Sequence, residues 1–167
     1  MNNMKAILTL FSVLILTGYA AAQQAKLEIG QQAPEIALSK NDGTPFSLSS
    51  LKGKLVLIDF WATWCSPCME EQPELKTLYQ KTKGKEFEIL GVSLDRNKES
   101  WQKAIDRFEI SWPQVSDLKF WRSPVAKAYA IEELPFNVVI DTQGKIIAKN
   151  LHGKELEGFI SKHLKLN

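Results

Sequence analysis

A chain of 167 residues, 44% hydrophobic and 24% charged, has the size and make-up of one globular domain, which excludes a multidomain or a disordered protein. The formal net charge of +2 is small and evenly scattered, with no Lys/Arg block, so no nucleic-acid partner is expected. Two cysteines, Cys65 and Cys68, are too few for a disulfide-stapled scaffold or a self-contained four-cysteine zinc site.

The chain opens on an address. Lys5, the apolar run Ala6 to Leu16 and the small residues Ala20-Ala21-Ala22 read as a signal peptide over residues 1–22, leaving a mature domain over 23–167. The run falls short of the roughly 20 apolar residues of a membrane span. Stable membrane insertion after cleavage is therefore not expected, and the destination is an exported, periplasmic compartment in which disulfides persist.

Ile36 to Leu38 and Thr44 to Leu48, separated by the turn residues Asn41-Asp42-Gly43, predict an edge hairpin. Lys54 to Phe60 is a near-continuous apolar run, as in a strand buried on both faces, and Phe87 to Leu94 and Phe136 to Ile140 repeat that pattern. A helix from about Pro67 to Lys83 follows the first run. Trp101, Ala104, Ile105 and Phe108 lie at helical spacing behind the N-cap Asn97, a short strand is expected at Gln114 to Ser116, and Ser123-Pro124 opens a short helix. Lys145 to Ala148 closes a hairpin after Asp141-Thr-Gln-Gly144, and Leu156, Phe159, Ile160 and Leu164 mark a final helix. Alternating strands and helices with a terminal hairpin predict a mixed, three-layer α/β sheet.

The chemistry centres on Trp64-Cys65-Ser66-Pro67-Cys68, placed between the central strand and the helix. A cysteine at a helix N-terminus has its thiolate stabilised by free N–H groups and the helix dipole. Cys68 lies one turn on, at a spacing that suits a disulfide with Cα atoms about 5 to 6 Å apart. Cys65 is accordingly the expected exposed attacker and Cys68 the resolving thiol. A static bridge is the bland reading, but a three-residue loop stabilises little. The dithiol carries the electrons itself, so no cofactor is expected.

Two acids accompany the pair. Asp59 lies inside the apolar strand, where ionisation without a partner is costly, and Cys68, Glu71, Leu75 and Leu78 share one helical stripe. Both acids are expected to point at the buried sulfur and to take its proton. The blander alternatives are an edge-strand carboxylate at 59 and a solvated one at 71. His152 reads as a polar-loop residue and His163 as part of the last helix's stripe. Spacing alone makes Pro135 an ordinary trans proline at a strand start; a cis bond there would leave the Leu134 backbone free to pair with an extended substrate.

The stretch Asp59-Phe-Trp-Ala-Thr-Trp-Cys-Ser-Pro-Cys68 resembles the active site of the thioredoxin superfamily. With Lys127-Ala-Tyr-Ala-Ile131 to Pro135 and Val139-Ile-Asp-Thr-Gln-Gly-Lys-Ile146, the chain resembles the exported TlpA/ResA-like thiol-disulfide oxidoreductases of the AhpC/TSA-redoxin group. That resemblance implies a thioredoxin-like three-layer α/β/α sandwich with an extra N-terminal β-hairpin. It also implies that Cys65 and Cys68 are the redox pair, Glu71 a buried acid and Pro135 a cis-proline. Trp64, Ser66, Pro67, Leu134 and Pro135 are then the expected substrate contacts.

The expected activity is protein-disulfide reduction. Partners would be exported proteins bearing disulfides or thiols, cytochrome-maturation thiols or misoxidised proteins among them, and a membrane-bound thiol electron donor. Two other readings stand beside it. A peroxiredoxin-like peroxidase would need a Pro-x-x-x-Thr/Ser-x-x-Cys stretch, and this chain has Ala62 three residues before Cys65 and no proline from Ile58 through Asp59 to Trp64. A non-catalytic copper carrier would use Cys65, Cys68 and His152.

Overall fold

A computed structural model describes residues 27–165. The segment read as a signal peptide lies outside the described residues. The elements follow the expected order: β1 Ala37–Lys40, β2 Pro45–Ser47, β3 Leu55–Trp61, α1 Ser66–Lys81, β4 Phe87–Ser93, α2 Lys98–Phe108, β5 Gln114–Ser116, α3 Pro124–Ala128, β6 Phe136–Ile140, β7 Ile146–Lys149 and α4 Gly153–His163. Two 3-10 segments, Leu48–Leu51 and Phe120–Arg122, were not foreseen. Among the described residues no helix is long and apolar enough to cross a membrane.

The strands form one seven-stranded sheet in the order β2-β1-β5-β4-β3-β6-β7. The pairs β3/β4 and β4/β5 are parallel, and β3/β6, β6/β7, β1/β2 and β1/β5 are antiparallel. All seven residues of β3 are buried, as its unbroken apolar pattern requires. The steps β3 to β4 and β4 to β5 run the same way across the sheet. Right-handed crossovers therefore put α1 and α2 on one face, and α1 contacts both α2 and α4.

Side chains alternate between the faces along β3, so Phe60 points away from that helical layer. Its ring lies 4.9 Å from Tyr129, the C-cap of α3, whose hydroxyl donates to Pro34 O at 2.6 Å. The third layer is thus α3 with the N-terminal segment. This is the α/β/α sandwich with an added edge hairpin that the resemblance implies, and it brings the C-terminal end of β3 and the N-terminal end of β6 to one rim.

Candidate active site

At that rim β3 ends at Trp61 and the chain turns into α1. Cys65 is the N-cap, in extended backbone conformation, with Pro67 in the first turn, where a missing N–H removes no helical bond. The Cys68 amide donates to Cys65 Sγ at 3.2 Å, so the sulfur itself caps the helix. Cys65 and Cys68 form a disulfide with Cα atoms 5.3 Å apart. The expectation of an exposed Cys65 needs correction: it is 6% exposed against 1% for Cys68. As the cap, its sulfur turns in over the first helical turn, and it is only the more accessible of two buried atoms.

Asp59 is buried on the α1 side of β3, and its Oδ2 has no hydrogen-bond partner among the described residues. Burial, the nearby Glu71 carboxylate second, pushes its pKa from 3.8 up to about 7, against the pull of the Gln72 side chain. The stripe expected to bury Glu71 instead buries Cys68, Gln72, Leu75 and Leu78. Glu71 stands on the flank, its side chain 26% exposed, with Oε1 2.8 Å from His152 Nδ1. An amide beside Asp59 avoids the repulsion that a second carboxylate would bring there. Partial burial still raises the Glu71 pKa, while His152 holds it down.

His152 lies in the loop, as expected, directly before α4, and it faces α1. Its place depends on Asn137 of β6, which donates to Leu151 O at 2.6 Å and accepts from Leu151 N–H at 3.1 Å. Asn137 pairs with Asp59 in the sheet register, so one strand pair supports both acids. His163 is exposed and stacks on Phe159 at 4.2 Å. The copper set of Cys65, Cys68 and His152 is not assembled: among the described residues no three His, Cys, Asp or Glu side chains form a group able to hold a metal.

Two further polar residues brace the turn into α1. Buried Asp95, just past β4, accepts from Thr63 N–H and from Thr63 Oγ1 at 2.6 Å, and from Ser93 Oγ at 2.8 Å. Trp61 Nε1 donates to Gln114 Oε1 at 2.9 Å, and the Gln114 side chain lies over Gly91, where a Cβ would stand 2.1 Å from its Nε2. An acid directly after a buried strand, on the loop-bearing rim, was the available signal for Asp95. Gln114 had none, because it stands on β5, two strands from Trp61, and reaches it only across the bare Gly91 of the intervening β4.

The Leu134–Pro135 peptide is cis, as the resemblance implies and against the trans form favoured by spacing. Phe136 pairs with Phe60, so the register sets Pro135 level with Trp61 at the rim. Trp64, Ser66 and Pro67 are exposed, and Leu134 and Pro135 half-buried. The expected substrate contacts thus share one edge of the molecule.

Residues 29–149 match the AhpC/TSA family. The thiol-disulfide oxidoreductase ResA of Bacillus subtilis is 32% identical over 162 residues, covering 96% of this chain and 88% of that protein. The ResA of Bacillus cereus is 31% identical over 144 residues, or 84% and 82% of the two chains. Among solved structures, the thioredoxin domain of a Bacteroides vulgatus thiol-disulfide oxidoreductase superposes with a TM-score of 0.79 at 40% identity, covering 83% of this chain and 99% of that one. A Bacteroides fragilis thiol-disulfide oxidoreductase gives 0.77 at 37% identity, over 80% and 100%. With its redox pair capping the helix of a thioredoxin-like sandwich, the chain belongs to the AhpC/TSA family, among the ResA-like thiol-disulfide oxidoreductases of the thioredoxin superfamily.

Proposed function

We propose that the protein is exported and reduces disulfides in partner proteins in the periplasm. The observation that carries this reading is a disulfide capping α1 with a buried, readily protonated Asp59 on the strand beneath. In the reduced protein the Cys65 thiolate, held by the helix N-terminus, attacks one sulfur of the client disulfide. A Cys65–client bond forms, the client bond breaks, and its other sulfur leaves as a thiolate that takes up a proton. Asp59 accepts the Cys68 proton, and the Cys68 thiolate attacks Cys65 Sγ, closing the disulfide and releasing the second client thiol. Two electrons pass to the client, and a membrane-bound thiol donor restores the dithiol.

Direction follows from charge. An acid with a pKa near 7 beside the pair, and a second on the flank, disfavour a nearby thiolate and so withhold the stabilisation of the reduced form that makes a strong oxidant. The export step is supported by the charge, apolar run and alanines of residues 1–22.

Reduction of insulin by the reduced protein tests the chemistry. Cys65→Ser abolishes it, and Cys68→Ser accumulates a disulfide-linked client on a non-reducing gel; activity retained by Cys65→Ser refutes the mechanism. A reduction potential as high as the about −120 mV of a dedicated periplasmic oxidant refutes the direction.

A further inference from the structure

Trp64, 46% exposed, and Trp121, 37% exposed, are two of the three exposed large hydrophobic residues among those described. With half-buried Phe120 they form a continuous aromatic shelf: ring centroids stand 5.0 Å apart for Trp64 and Phe120, and 6.0 Å for Trp64 and Trp121 and for Phe120 and Trp121. The shelf adjoins Cys65 through Trp64. Its other two rings come from the 3-10 segment between β5 and α3, which the exchange chemistry does not use.

That segment is held in an unfavourable conformation. Leu118 and Phe120 have φ values of 56° and 58°, in the left-handed region that large side chains avoid. Ser116 Oγ accepts from Leu118 N–H at 3.0 Å and donates to Ser93 O at 2.8 Å, tying the turn to the end of β4. Exposed aromatic area and a left-handed phenylalanine both work against folding, and neither is needed to close the core.

The shelf is also basic. The Arg96 guanidinium lies 4.2 Å from the Phe120 ring centroid, and Lys119 and Arg122 belong to the same turn. All three cations are exposed, and none joins an ion pair among the described residues. Of the acids adjoining them in the chain, Asp95 accepts from Thr63 and Ser93, and Asp117 accepts from the Lys119 amide at 3.0 Å through Oδ1, its Oδ2 being buried without a hydrogen-bond partner among the described residues. In the loop that leads into β6, on the side of β3 away from β4 and β5, Glu132 and Glu133 are exposed just before the cis bond. A client crossing Cys65 therefore meets aromatic and positive surface on one side and negative surface on the other.

We infer that the shelf selects the client: it takes an extended polypeptide segment with a large apolar or aromatic residue beside its reactive cysteine and an acidic residue beyond. The inference rests on the proposed reduction of protein disulfides and deepens it. Apolar contact with the rings and charge contact with Arg96 and Arg122 hold the segment while Cys65 bonds to the client sulfur and the client disulfide opens.

The test uses the reduced full chain and two synthetic peptides of equal length, each closed by one disulfide. One has Phe next to the reactive cysteine and then Glu; the other has Ser and Lys. The wild type should reduce the Phe/Glu peptide about tenfold faster, the worth of one good aromatic contact together with charge pairing. Trp121→Ser should remove most of that preference, and the double charge reversal Arg96→Glu/Arg122→Glu should invert the part due to charge. Bis(2-hydroxyethyl) disulfide, uncharged and without a side chain to lay on the rings, reports the exchange reaction itself and should be reduced alike by all three proteins. Equal rates on both peptides in the wild type, or an unchanged preference in both variants, overturn the inference while reduction of the small disulfide leaves the exchange reading standing. Failure of the wild type on the small disulfide and on both peptides overturns both.

Discussion

Replacing Asp59 by Asn removes the one buried carboxyl that the site leaves without a hydrogen-bond partner on Oδ2, and its effect on stability has a distinctive pH dependence. In the oxidised protein the pKa stands at about 7, against the ordinary 3.8 of an unfolded chain. The folded state therefore binds more protons than the unfolded state between those values, and stability falls as pH rises through the interval. At about 1.4 kcal/mol for each pKa unit, the loss totals about 4 kcal/mol. It is absent below about pH 4, nearly complete by pH 7 and flat above.

Asparagine is close in shape to the protonated acid and cannot ionise. The variant should match the wild type near pH 3.5 and exceed it by about 4 kcal/mol at pH 8, titrating groups other than the interacting Glu71 cancelling in the comparison. Denaturant unfolding of both oxidised proteins from pH 3.5 to 8, read at constant m-value, measures this gap directly. The more stable protein should be the slower one: loss of the proton acceptor slows resolution by Cys68 about a hundredfold at neutral pH, seen by stopped-flow as a long-lived mixed disulfide. A gap that stays constant with pH, or a variant less stable at pH 8, refutes the claim that burial of this carboxyl sets its ionisation.

Asp95→Ala strips Thr63 of its partner and leaves buried donors unsatisfied, so the denaturation midpoint at pH 7 should drop by the equivalent of about 1–3 kcal/mol; an unchanged midpoint contradicts its bracing role. Gly91→Ala drives a methyl into Gln114 and must break the bond to Trp61, at about 1–3 kcal/mol by the same measurement. His152→Gln removes the group that holds the Glu71 pKa down, so the Glu71 carboxyl should titrate at higher pH by carbon-13 NMR; a midpoint that stays or falls refutes the pairing.

The element order was legible because each central strand is buried on both faces and reads as an unbroken apolar run, and because Asn97, Ser123-Pro124 and Asp141 to Gly144 mark helix starts and a turn in local chemistry. The redox pair was legible for the same reason, since capping and spacing are local. Partnerships across the fold were not. Nothing near His152 in the chain announces Glu71, and the contact exists only because Asn137 anchors Leu151 from another strand. The left-handed turn at Leu118 and Phe120 carries no glycine to signal it.

The exchange of Glu71 for Gln72 on the buried stripe shows how far periodicity reaches. Positions 68, 71, 75 and 78 and positions 68, 72, 75 and 78 are equally good helical stripes at 3.6 residues per turn, and electrostatics chooses between them. Two carboxylates on one dry surface would each raise the other's pKa; an amide beside Asp59 and a carboxylate turned to His152 give each acid its own setting. Asp59, dry and unpaired at Oδ2, gives up its proton only at about pH 7, while Glu71, paired at the flank, is drawn back toward the charged form. Pairs of acids whose surroundings separate their ionisation divide the work of proton transfer. On the mechanism proposed above, that division gives proton exchange with Cys68 to Asp59 and leaves Glu71 on the flank beside His152.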